Sequence, residues 1–170
     1  MARFGSVVTA MVTPFDADGA VDYEGAAELA AWLVARGSDG LVLTGSTGEA
    51  STLTDEEQIE LWRVVRSVVD VPLVAGSGTN DTRHAATLTA AAGTVGMDGV
   101  LVVTPYYNRP SQAGIEAHFR AVAAATELPV LLYDIPIRSS RRISQEVIWR
   151  LVDEVPNVVG VKDALGDPSE

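Results

Sequence analysis

No cysteine occurs in the 170-residue chain. That absence excludes disulfides and thiolate metal sites, and it accords with a reducing, cytoplasmic location. Histidine is nearly as scarce, with only His84 and His118 present. Both fall inside expected helices, have no partner at ligand spacing, and read as surface residues. A metal-dependent mechanism is therefore poorly supported, and neither a metal nor a cofactor is expected. Positive charge is also thin: 12 Lys and Arg stand against 23 Asp and Glu, a formal charge of −11. With no basic patch to track phosphates, nucleic acid is not an expected partner. No apolar run is long enough to cross a bilayer, and no basic-then-apolar leader stands at the start, so no membrane association or export is expected.

What the chain does contain is a repeating alternation. Apolar runs begin near residues 7, 40, 72, 99, 129 and 158, each preceded or followed by a helical pattern. The first run lies between Phe4 and Val12; the second is Gly40-Leu41-Val42-Leu43-Thr44. Helix start signals punctuate the intervals. Asp22 opens a helix to Arg36, Thr54-Asp55-Glu56-Glu57 forms a capping box, Asn80 or Asp81 caps an alanine-rich helix, and Ser111 and Ser144 cap two more. The runs are continuously apolar, which predicts strands buried on both faces of a parallel sheet. A spacing of roughly 30 residues per unit is that of a (β/α)8 barrel, eight βα units in about 250 residues. No Gly-x-Gly-x-x-Gly joins the first strand to its helix, which argues against a Rossmann sheet. The expected fold is thus α/β of TIM-barrel type. About six of eight βα units are present, and residues 1–170 form one partial-barrel domain.

In such barrels reactive groups stand at the C-terminal ends of strands. Here those ends carry Ser46 and Thr47, Tyr106 and Tyr107, Tyr133, and Lys162. Lys162 closes Val158-Val159-Gly160-Val161, where an ammonium is costly unless paired or neutral, and a neutral amine attacks carbonyls. It could form an imine with a 2-oxo acid; alternatively, it snorkels to solvent. Tyr133 could carry protons, and Ser46 or Thr47 could meet a substrate carboxylate. Arg138 could clamp a second carboxylate, or belong with Arg141 and Arg142 to a solvated basic turn. Tyr106 and Tyr107 are packing aromatics on the alternative reading. Gly45-Ser46-Thr47-Gly48-Glu49 would alternatively be a plain turn, with Glu49 a cap or a buried acid. Trp32, Trp62 and Trp149 sit at helical positions and read as core or interface.

Taken together, Gly45-Ser46-Thr47-Gly48-Glu49, Thr104-Pro105-Tyr106-Tyr107-Asn108-Arg109-Pro110-Ser111-Gln112, Tyr133-Asp134-Ile135-Pro136 and Val161-Lys162-Asp163-Ala164 resemble the class I pyruvate aldolases of the dihydrodipicolinate synthase and N-acetylneuraminate lyase family. The resemblance covers the whole chain. It implies that Lys162 forms the imine with pyruvate and that Tyr133 is the proton-transfer phenol. Ser46 and Tyr107 complete a hydroxyl relay, Tyr107 entering from a neighbouring subunit of a homodimer or homotetramer. Thr47 holds the pyruvate carboxylate and Arg138 guides aspartate semialdehyde. The implied activity is a lyase or synthase of the diaminopimelate route to lysine. A sugar-acid aldolase with the same imine chemistry is the nearest alternative, and a catalytically silent assembly module is another. Departures from the family pattern are Ser46 for Thr, Asp134 for Asn, and Ile137 and Ser139 around Arg138. Asp55, Gln58 and His84 replace residues that bind feedback lysine in some members. Family members carry two further strands and a helical extension beyond what these 170 residues supply.

Overall fold

The computed structural model describes residues 3–166. In chain order the elements are β1 (Val8–Ala10), α1 (Tyr23–Ala35), β2 (Gly40–Leu43), a 3-10 turn (Ala50–Thr52), α2 (Asp55–Val68) and β3 (Leu73–Gly76). They are followed by α3 (Thr82–Thr94), β4 (Gly99–Val103), α4 (Gln112–Ala123), β5 (Val130–Asp134), the short α5 (Pro136–Ser139), α6 (Gln145–Glu154) and β6 (Val158–Asp163). The chain divides into two compact units. The first holds residues up to Gly76 together with Ala91–Gly99; the second holds Ser77–Ala90 and residues from Val100 onward.

The first unit is built on β1, β2 and β3, parallel in register, with Thr9 opposite Leu41 and Val42 opposite Val74. Strands β2 and β3 are buried along their whole length, as continuous apolar runs require. The helices begin where the sequence says they should. Asp22 accepts from the Gly25 N–H, and Thr54 and Glu57 close both halves of the capping box ahead of α2. Trp62 on α2 is fully buried, with Leu61 and Val65 beside it. Strand β1 is shorter than its apolar run. Residues before Val8 are tied chiefly to Asp39, whose carboxylate accepts from the Ser6 and Val7 N–H groups and whose own N–H donates to the Val7 carbonyl.

The second unit carries β4, β5 and β6, again parallel, with Val103 opposite Tyr133 and Tyr133 opposite Lys162. Ser111 and Ser144 cap α4 and α6 as expected, and Asp81 accepts from Arg83 and His84 N–H at the start of α3. Helices α4 and α6 are joined through Glu116, which accepts from Arg120 on its own helix and from Arg150 on α6.

Two expectations need correction. Burial on both faces fails for β1 and β6, where Val8 and Val159 are exposed. Each of these strands has a hydrogen-bonded neighbour on one side only among the described residues. His118 is not a surface residue; it is 3% exposed and packs edge-on against Phe119. Trp62 is core, but Trp32 and Trp149 are 54% and 65% exposed, and the guanidinium of Arg36 lies over the Trp32 ring.

Candidate active site

On the first unit, β2 ends at Leu43, one residue earlier than its apolar run suggests. Thr44 turns left-handed at φ 50, and the chain makes the 45–48 turn before Glu49, at φ 55, leads into the 3-10 segment. Left-handed backbone is costly for a residue with a β-carbon, so surrounding contacts must hold it. The Thr13 hydroxyl donates to the Gly48 carbonyl at 2.7 Å. Gly76, at the end of β3, comes so close that a β-carbon there would stand 2.3 Å from the Thr44 carbonyl oxygen. Only glycine permits that approach. The outcome is a fixed turn with Ser46 and Thr47 exposed at its tip. Glu49 is exposed as well, so it is not a buried acid.

On the second unit the register itself makes the juxtaposition. Because Tyr133 and Lys162 are partners across β5 and β6, both side chains leave the same face of the sheet. The Lys162 Nζ lies 4.3 Å from the centroid of the Tyr133 ring, within the range of a cation–π contact. Tyr133 is buried, whereas Lys162 is partly exposed. Lys162 lies on the edge strand of the described sheet, since β6 has no strand beyond it among the described residues. Thr104, just past β4, anchors this position: its N–H and its hydroxyl both donate to the Tyr133 carbonyl, at 3.0 and 3.1 Å.

The loop after β4 is strained, with Tyr107 at φ 67 and Arg109 at φ 48. It is pinned at two points. Asn108 donates to the Asn80 carbonyl, and Arg141 donates to that of Arg109. Tyr107 itself is 89% exposed, so it is not a packing aromatic. Arg138 is exposed on α5.

The opposite face of the same strands carries Asp134 and Asp163, also register partners. Asp134 is 2% exposed. One oxygen accepts from the Ile143 N–H at 3.2 Å, and the other has no partner among the described residues. Burial raises its pKa to about 6 and the Asp163 charge adds to this, while the Ile143 hydrogen bond and the Arg142 charge pull the other way.

The expected residues thus fall into two groups. Lys162, Tyr133, Tyr107 and Arg138 belong to the second unit, and Ser46 and Thr47 to the first. Three supporting threonines, Thr13, Thr44 and Thr104, escaped the sequence reading. Each is a buried hydroxyl residue directly after an apolar run, and that position was the available signal.

Residues 3–170 match the model of the dihydrodipicolinate synthetase family. The chain belongs to this family. Among curated relatives, the 4-hydroxy-tetrahydrodipicolinate synthase of Acidothermus cellulolyticus is 55% identical over 168 residues, which is 98% of this chain and 54% of the relative. Among solved structures, a dihydrodipicolinate synthase from Bacillus anthracis superposes with a TM-score of 0.93 at 48% identity, covering 96% of this chain and 56% of that one. The Acinetobacter baumannii dihydrodipicolinate synthase, solved as a complex with pyruvate, gives 0.93 at 43% identity, covering 96% and 57%. The six strands and the helices between them are therefore those of the TIM-barrel type expected from the sequence. The chain spans about half the length of the family members it matches.

Proposed function

We propose that this chain carries the imine-forming part of a class I aldolase that condenses pyruvate with aspartate semialdehyde to 4-hydroxy-tetrahydrodipicolinate, a step of lysine biosynthesis by the diaminopimelate route. The observation that carries the reading is the pairing of an amine with a phenol. Lys162 Nζ stands 4.3 Å from the Tyr133 ring centroid at the ends of two paired strands. An unprotonated Lys162 would add to the C2 carbonyl of pyruvate, and the carbinolamine would lose water to give the imine. Loss of a C3 proton then yields an enamine whose C3 attacks the aldehyde carbon, with the new alkoxide taking up a proton; the amino group brought by aspartate semialdehyde adds to C2 and expels the Lys162 amine, which closes the ring and frees the enzyme. Tyr133 would relay those protons.

Ser46, Tyr107, Thr47 and Arg138 enter by the motifs they match. Ser46 and Tyr107 would extend the hydroxyl relay, Thr47 would receive the pyruvate carboxylate, and Arg138 would orient the second substrate. Residues 1–170 would be part of a single barrel domain, of a cytoplasmic homo-oligomer in which the exposed Tyr107 meets a neighbouring subunit. No helix among the described residues is long and apolar enough to cross a membrane.

The test is turnover with two acceptors. Product from pyruvate and aspartate semialdehyde, abolished in Lys162→Arg, is expected. Turnover of a sugar aldehyde but not of aspartate semialdehyde would move the assignment to the sugar-acid aldolases. A folded protein that turns over neither would be a silent module.

A further inference from the structure

We infer that Thr44 is a positioning residue for the 45–48 turn, its hydroxyl setting where Thr47 receives a small carboxylate. The inference rests on the pyruvate reading above. Thr44 is 1% exposed and holds a left-handed backbone that ordinarily favours glycine. Its side-chain oxygen stands at the centre of a buried junction. It accepts from the indole N–H of Trp62 at 2.9 Å, and its one proton faces the carbonyls of Leu43 at 2.8 Å and Gly76 at 3.1 Å. One atom thus ties the end of β2 to the end of β3 and to the core of α2. The backbone is clamped from the other side as well. A β-carbon on Gly48 would come within 3.1 Å of the Met11 carbonyl and 3.2 Å of the Thr44 nitrogen.

Valine at this position would keep the β-branch and the volume but leave the indole N–H and the Gly76 carbonyl unsatisfied in a dry site, a strong drive to rearrange. Ser46 and Thr47 in this turn are exposed; the Thr13 hydroxyl holds the far end of the turn at Gly48, and Thr44 is the side-chain anchor at its near end. A shift there changes substrate affinity more than the chemistry at the lysine.

The test compares Thr44→Val, Thr44→Ser and Trp62→Phe with the parent. Two quantities are read: hydrogen exchange of residues 45–49, and the pyruvate concentration giving half-maximal borohydride labelling of Lys162. Thr44→Val is expected to speed exchange in 45–49 while β3 stays protected, and to raise half-saturation about tenfold at an unchanged labelling plateau. Thr44→Ser, which restores the hydroxyl, should stay within about twofold of the parent, and Trp62→Phe should fall between. Parent-like exchange and half-saturation in Thr44→Val would overturn the inference. So would Thr44→Ser behaving as Thr44→Val does, since the hydroxyl would then be irrelevant. Should Thr44→Val fail to fold, Trp62→Phe decides by the same signs. Absence of pyruvate labelling in the parent would sink the function reading instead, and exchange in 45–49 would then decide the positioning role alone.

Discussion

Two buried titratable residues of the second unit oppose each other in their response to pH. Burial lowers the His118 pKa to about 4 from 6.5, partly offset by the Asp81 charge. Its contribution to stability is therefore present above pH 6.5 and is lost as pH falls through about 4. Asp134 runs the other way. Raised to about 6 from 3.8, its contribution is present below pH 3.8 and is lost as pH rises through about 6. In the parent the two slopes largely cancel between pH 4 and 6. Asp134→Asn should unmask His118, giving a melting temperature that climbs across this window. His118→Asn should unmask Asp134, giving one that falls. At pH 8 Asp134→Asn should also be more stable than the parent by on the order of 1–2 kcal/mol, because it removes an ionised, half-satisfied buried group. Parallel pH profiles for all three proteins would contradict both assignments. The burial of His118 was legible in principle. Ile115, His118, Phe119 and Val122 lie at helical spacing and are all buried, so the apolar stripe of α4 predicts a buried position where histidine chemistry suggested solvent.

At the scale of elements, start signals proved the most legible feature because they are local. The reciprocal hydrogen bonds of Thr54 and Glu57, 3.2 and 2.8 Å long, can be read from four residues without knowing the fold. Thr54→Ala should cost about 1 kcal/mol in chemical denaturation. Adding Glu57→Ala should cost less than the two single changes summed, since each half of the box loses meaning without the other. Strand burial was less legible, because continuous apolar residues in β6 do not reveal how many neighbours the strand has. The α4–α6 connection was not legible at all. Arginine hydrogen bonds from Arg150 and Arg120 hold Glu116 well down, at about 2. The stability it supplies is present above the usual glutamate range and is lost as pH falls towards 2. Glu116→Gln should therefore lower the melting temperature at neutral pH and erase the difference from the parent near pH 2. A mutant equally destabilised at both pH values would show that packing, not charge, is what Glu116 contributes.

For the whole molecule, the order of the six strands followed from the 30-residue rhythm of apolar runs, and the family motifs lie at or just past the ends of β2, β4, β5 and β6. The rhythm could not show that Lys162 is partly exposed, since that depends on what stands beyond β6. Nor could it show that Thr13, Thr44 and Thr104 hold the backbone on which the exposed hydroxyls and the phenol stand. Reductive trapping asks whether Lys162 is an imine-forming amine beside a phenol. The protein is treated with pyruvate and borohydride, then digested and mapped by mass spectrometry. A reduced pyruvyl adduct on Lys162, and a much weaker one in Tyr133→Phe, is the expected result. A folded protein that carries no adduct, or carries it on another amine, would contradict the account.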